Sequence, residues 1–347
     1  MLTNQAEAFK TFMLLLSIPN LPFTRPKSMG YELARFALLL SLASNALGDQ
    51  PEPLGWTLLN SGEYRATIGP WILKVDPQKA RLTHLERYSS SNRLAESGHR
   101  VWLGPQGEWP EFWPPPTDWE SSPAISHHLS PDLLTLTLLL PHTSPHFPQL
   151  ARTYQLHPEG LDLGVSWKPN SNPTPLELSG PQAYQAVHIL QLAPEATVKL
   201  RIQPTRELPL GYGLLPLLHR REIILNRPLS PGFFKASPSP TVSSVLQFTG
   251  QEEKIGVPLQ PLWVHFPEGD CFRLEPATFQ GQPSVLPPPE AGLYSQIYFG
   301  ADQWPMVEVE QLSPRLEPTT PGEAVSVTVH LHLPQDRKAL PQTAPEL

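Results

Sequence analysis

Residues 161–167 read LDLGVSW. Leu161, Leu163, Val165 and Trp167 alternate with Asp162, Gly164 and Ser166, the period of a strand with one buried face and one wetter face. The same pattern runs outward in both directions. Upstream, Tyr64–Ile68, Trp71–Val75, Arg81–Arg87, Ala124–Leu129, Leu133–Leu140 and Ala151–His157 are short runs of this kind, broken by turn residues such as Gly69, Pro70 and Pro77. Downstream, Tyr184–Leu192, Thr197–Gln203, Thr241–Thr249, Leu262–Phe266, Cys271–Glu275, Leu293–Phe299, Met306–Gln311 and Ala324–Leu333 follow the same grammar. Residues 204–240 are less regular and read as a long loop over the sandwich rather than a linker. Almost no segment keeps apolar residues at helical spacing. The sequence predicts an all-β chain, an antiparallel sandwich of many strands.

Composition narrows the class further. The 45 prolines among 347 residues far exceed ordinary usage of about 5%. Hydrophobic residues at 39% and aromatics at 9% nevertheless exceed what a disordered chain carries. The prolines therefore punctuate loops of a folded protein. With 25 Lys plus Arg against 32 Asp plus Glu, the net charge is −7, and no basic stripe offers a nucleic-acid footprint. Cys271 is the single cysteine, so no internal disulfide forms.

Two apolar runs, 12–23 and 36–47, lie near the amino terminus. Each falls short of the roughly 20 apolar residues that span a bilayer. Arg25, Lys27 and Arg35 precede the second run, and Ala43, Ser44, Ala46 and Gly48 follow it. Basic, apolar and small residues in that order predict a secretory signal cut after Ala46 or Gly48, with Met29 as the true start. An amphipathic helix packed on the domain is the other reading. The expected organisation is a signal segment over 1–48, a single domain over 49–340 and a tail over 341–347. The mature protein is expected in the periplasm or secreted, without a stable membrane span.

Residues 97–119 read SGHRVWLGPQGEWPEFWPPPTDW. Trp102, Trp109, Trp113 and Trp119 stand beside Arg100, Gln106, Glu108, Glu111 and Asp118, and Pro114–Pro116 allow neither helix nor central strand. The stretch reads as a stiff loop. Flat amphipathic rings beside planar hydrogen-bonding groups suit a sugar, which is polar at its rim and apolar on its faces; the same tryptophans could instead plug the end of a sandwich.

The order Gly98, His99, Arg100, Val101, Trp102, then Pro105, Gln106, Trp109, Trp113 and the three prolines resembles an uncharacterised bacterial domain family with a W-P-S-P-Q…W-P-P-P signature. That family belongs to the galactose-mutarotase-like superfamily. NSGEYRATIGPWILKVD, GLDLGVSWKPNSN and MVEVEQLSPRLEPTTPGEAVSVTV extend the likeness over about residues 55–334. Leu103 and Gly104 stand where the signature has proline and serine. The resemblance implies a supersandwich of two large antiparallel sheets, with a sugar-sized groove on one concave face. In mutarotases a histidine is the general acid and a glutamate the base, because ring opening delivers one proton and removes another. Carried over, these roles fall on His188 in QAVHILQL and on Glu308 or Glu310. Substrate contacts are implied at Arg100, Trp102, Gln106, Trp109 and Trp113. The asparagine-histidine-tyrosine-phenylalanine segment of mutarotases is absent, which bears on catalysis more than on binding.

Each residue also has a structural reading. Glu308 and Glu310 share one face of a strand and could be ordinary exposed charges. His188 could be a hydrogen-bonded core histidine, and Arg100 could stack on Trp102 or pair with Glu108. His330 and His332 share a strand face, yet no third ligand can be placed by sequence, so no metal is expected. No cofactor motif is found: neither a phosphate loop, nor G-x-S-x-G, nor H-E-x-x-H. Two functions remain open: a secreted or periplasmic saccharide- or polysaccharide-binding protein without catalysis, or a sugar-active enzyme, either an epimerase or a hydrolase or lyase.

Overall fold

The computed structural model describes residues 53–335, apart from 89, 106–114, 121, 144–147, 169–182, 218–221, 226, 230–231, 235–242, 287–288 and 321. Period-two segments with β-branched and aromatic residues become strands, and every strand pairing between them is antiparallel. Thr57–Leu58, Tyr64–Ile68, Trp71–Asp76 and Arg81–Arg87 form a four-stranded meander. The largest sheet has ten strands, with Cys271–Leu274, Val325–His332, Gly160–Trp167 and Leu150–His157 side by side at its centre. A seven-stranded sheet runs Gly213–Leu214, Glu253–Val257, Ser295–Phe299, Val307–Glu317, Tyr184–Leu192, Leu94–Gly104, with Gln282–Pro283 pairing to Val307–Glu317.

The inner faces of the two large sheets meet in one core. Trp167 of the ten-stranded sheet stands edge-on to Tyr184 of the seven-stranded sheet, ring centroids 6.4 Å apart, and Tyr154 stands edge-on to His99 at 5.9 Å. The alternation read in residues 161–167 is realised here: Leu161, Leu163, Val165 and Trp167 are all buried, while Asp162 and Ser166 are half-buried. Trp56 donates to the Tyr154 carbonyl at 3.2 Å and Trp71 to the Pro334 carbonyl at 3.0 Å, which tie the four-stranded meander to the rest. No helix among the described residues is long and apolar enough to cross a membrane.

Several segments differ from expectation. Residues 97–104 are not loop; Leu94–Gly104 is an eleven-residue strand at the end of the seven-stranded path. The prolines begin only at Pro105, and before it His99, Arg100, Val101, Trp102 and Leu103 pair with Tyr184–Leu192 as ordinary β residues. Gly98 makes the irregularity that starts this run: its φ is +62°, and a Cβ there would stand 2.1 Å from the Leu82 carbonyl oxygen. Trp119 sits on a short helix, Thr117–Glu120. Glu253–Val257, masked in sequence by Glu253, Lys254 and Gly256, is a further strand. Val307–Glu317 continues past Gln311 through Pro314, because the register shifts opposite Gln185 and Val187 and the Ser313 hydroxyl accepts the Ala186 N–H at 3.0 Å in place of a ladder bond.

Candidate functional site

Tyr184–Leu192 is the strand from which the site is built. Tyr184, Ala186, His188 and Leu190 face the inter-sheet core, so Gln185, Val187, Ile189 and Gln191 face the other way. Register then lays out rows across this outer face. Arg100, Ile189, Glu310, Gln296 and Gly256 form one row, and Gln191, Glu308, Tyr298 and Lys254 the next. Trp102, Val187 and Leu312 form an apolar row beside Arg100, and Gly104, Gln185 and Arg315 lie beyond it.

The polar rows are buried although they lie outside the inter-sheet core. Arg100 is 7% exposed, Glu308 5% and Glu310 1%. Arg100 pairs directly with Glu308, reaches Glu120 at 3.1 Å and lies over the Trp102 ring, 4.8 Å from its centroid. Trp102 Nε1 donates to the other Glu120 oxygen at 2.8 Å. Gln191 donates to Glu308 at 3.1 Å, and Lys254 meets Glu310 at 3.0 Å. The backbone just before Glu120 is held by Arg152, a fully buried guanidinium that donates to the carbonyls of Ala80 at 2.7 Å, Val101 at 3.3 Å and Trp119.

Electrostatics follow from this packing. Burial pushes the Glu308 carboxyl above its usual range, and repulsion from Glu310 adds to the rise against the attraction of Arg100. Burial alone would lower the Arg100 and Lys254 values, but the carboxylates of Glu308 and Glu120, and of Glu310 and Glu290, carry both above their ordinary values. The cations are therefore firmly charged, while the Glu308 carboxyl is held nearer to protonation than an ordinary glutamate.

His188 belongs to a different environment. It is 1% exposed, stacks on His99 with ring centroids 5.5 Å apart, and approaches the Val327 backbone of the opposite sheet without hydrogen-bond geometry at Nε2. His99 in turn approaches the Tyr154 hydroxyl at 3.4 Å. Burial, with Arg152 nearby, lowers the His188 imidazole to about 3. It is neutral at ordinary pH.

Two solved structures share the architecture of this molecule. A candidate aldose 1-epimerase from Escherichia coli K12 superposes with a TM-score of 0.50 at 11% identity, over 81% of this chain and 99% of that one. A galactose mutarotase related enzyme from Lactobacillus acidophilus gives 0.51 at 7% identity, over 78% and 97%. The fold is galactose-mutarotase-like. In sequence, neither a protein-family model nor a curated protein matches the chain.

Within this galactose-mutarotase-like sandwich the residues expected to act together divide. Arg100, Trp102, Glu308 and Glu310 come together on the outer face of the seven-stranded sheet. His188 does not join them: its Cα partners Gln311, whose neighbour Glu310 points to the opposite face. Arg100 does stack on Trp102, and among the described residues its carboxylate partners are Glu308 and Glu120. Trp102 and Trp119 are 6% and 3% exposed, so these two indoles are packed in and do not form an open rim. Gln106, Trp109 and Trp113 lie outside the described residues. His330 is held by Asp162 at 2.7 Å, with His157 on the other oxygen at 2.9 Å. Among the described residues no three His, Cys, Asp or Glu converge on a metal position. Sequence reasoning missed Glu120, Gln191, Lys254 and Gln296. Gln191 was within reach, since it shares strand parity with Ile189 and stands opposite to His188.

Proposed function

We propose that the chain binds a saccharide on the outer face of the seven-stranded sheet, with Arg100, Gln191, Glu308 and Glu310 meeting sugar hydroxyls and the Trp102–Val187–Leu312 row underlying an apolar ring face. The observation that carries this reading is the burial of Arg100, Glu308 and Glu310 away from the inter-sheet core. Charged groups are buried at such cost that a paired cluster of them, with a displaced carboxyl value, marks a functional surface more than a structural one. The likeness to sugar-related folds supports the choice of ligand class and, by itself, only the fold. The finer likeness to the bacterial W-P-S-P-Q…W-P-P-P family belongs to the same proposal and rests on sequence order. So do export through the 1–48 segment and a single domain over 49–340.

Calorimetric titration guided by a glycan array tests the reading. Glu308→Gln keeps the volume and the Gln191 contact while removing the charge opposite Arg100. It is expected to weaken saccharide binding at least tenfold, about 1.4 kcal/mol. Unchanged affinity, or no saccharide bound by the natural chain, removes the proposal. A second reading, a sugar-active enzyme, draws on the raised Glu308 carboxyl, a property suited to a general acid. Polarimetry on the same pair of proteins separates the two, because only an epimerase hastens anomer interconversion and loses that rate with Glu308→Gln.

A further inference from the structure

Four glutamines of the seven-stranded sheet are almost fully buried, and three of them are satisfied. Gln191 donates to Glu308 at 3.1 Å and accepts the Ser97 N–H at 3.1 Å. Gln296 donates to Glu290 at 2.6 Å and to the Leu293 carbonyl at 2.9 Å. Gln311 donates to the Gln260 carbonyl at 2.8 Å and accepts the Ser295 hydroxyl at 2.9 Å. Gln185 is the fourth. It is 0% exposed, and among the described residues neither its Oε1 nor its Nε2 has a hydrogen-bond partner.

An amide with both functions orphaned is costly in a folded protein, and an ordered water, an ion or a ligand group completes it. Its position says what. Strand parity puts Gln185 on the same outer face as Gln191, beyond the apolar row of Trp102, Val187 and Leu312. Four residues separate it from Ile189 in the Arg100 row, roughly 13 Å at a strand's rise of about 3.3 Å per residue. Arg100 Nε, at the near side of that apolar row, is also without a partner among the described residues. The outer face thus offers incomplete polar atoms from two rows on either side of an apolar strip, rows whose backbones lie farther apart along the strand than one pyranose ring spans.

We infer that Gln185 is a second saccharide-contacting position, which receives an adjacent donor and acceptor from the next unit of an oligosaccharide. A primary amide has a donor and an acceptor side by side, so its complement is a vicinal hydroxyl pair or an acetamido group. This inference rests on the saccharide-binding reading above and makes the ligand longer than a monosaccharide.

The full chain is titrated with maltotriose, cellotriose and N-acetylated chitotriose, and with glucose and N-acetylglucosamine. Gln185→Leu is expected to weaken trisaccharide binding at least tenfold and leave monosaccharide affinity within twofold. Tm should hold or rise, because an unsatisfied amide has been removed. Loss confined to chitotriose identifies the acetamido group as the complement; loss confined to the other two identifies a hydroxyl pair. Unchanged trisaccharide affinity with a lowered Tm would make the amide a purely structural group and overturn the inference. Equal losses for mono- and trisaccharides would put Gln185 beside the first unit and overturn it too. If Gln185→Leu fails to fold, Gln185→Glu reads the same affinities. A natural chain that binds none of these sugars defeats the underlying proposal, whereas binding that ignores Gln185 defeats this one alone.

Discussion

His188 and Gln185 lie three apart on one strand and have opposite surroundings. His188, between the sheets, is neutral because burial disfavours its charged form. Its folded value of about 3 lies below the roughly 6.5 of an unfolded histidine, so the unfolded chain binds the proton more readily. The stability associated with the neutral ring is present above about pH 6.5 and is lost on acidification toward pH 3. Urea unfolding of the natural chain and of His188→Gln at pH 7 and pH 4 should show this. The natural chain is expected to lose about 3 kcal/mol more over that interval than the variant does, and parallel losses would mean that the ring stays charged or solvated. His99, also lowered well below its ordinary value by burial and by its neighbours His188 and Arg152, adds to the acid sensitivity of the same core.

Among the elements, the join between the four-stranded meander and the ten-stranded sheet carries its own ion-pair group. Asp270, in the turn before Cys271–Leu274, is 0% exposed and pairs with Arg93 and, at 3.4 Å, with Arg87 at the end of the last meander strand. Arg93 also lies over Phe266, 4.8 Å from the ring centroid. Removing the Asp270 charge leaves the buried Arg87 without that carboxylate and the buried Arg93 with only the exposed Glu268, at 3.1 Å. Asp270→Asn is therefore expected to cost about 3 kcal/mol in unfolding free energy, read from urea or thermal denaturation; a change below about 1 kcal/mol would show the pair to be well solvated. Most strands, Tyr184–Leu192 among them, were legible in sequence because alternation is local. Leu94–Gly104 was not, because the nearby prolines dominate the reading of 97–119 although they act only from Pro105 onward.

For the whole molecule, the proposal of export makes the start of the chain measurable. Expressed in a Gram-negative host with a carboxy-terminal tag, the protein is expected in the periplasm or the medium, with a mature amino terminus at residue 47 or 49. An intact amino terminus on cytoplasmic protein would instead favour a segment packed on the domain. The sequence by itself determined that the chain is a many-stranded antiparallel sandwich, and it placed Glu308 and Glu310 on one face of their strand, since side-chain parity is a property of each backbone segment. Tertiary structure alone decided that Arg100 meets Glu308, 208 residues away, and that His188 turns into the core. Register between distant strands depends on the summed packing of both sheets, and a one-residue slip would exchange the two faces.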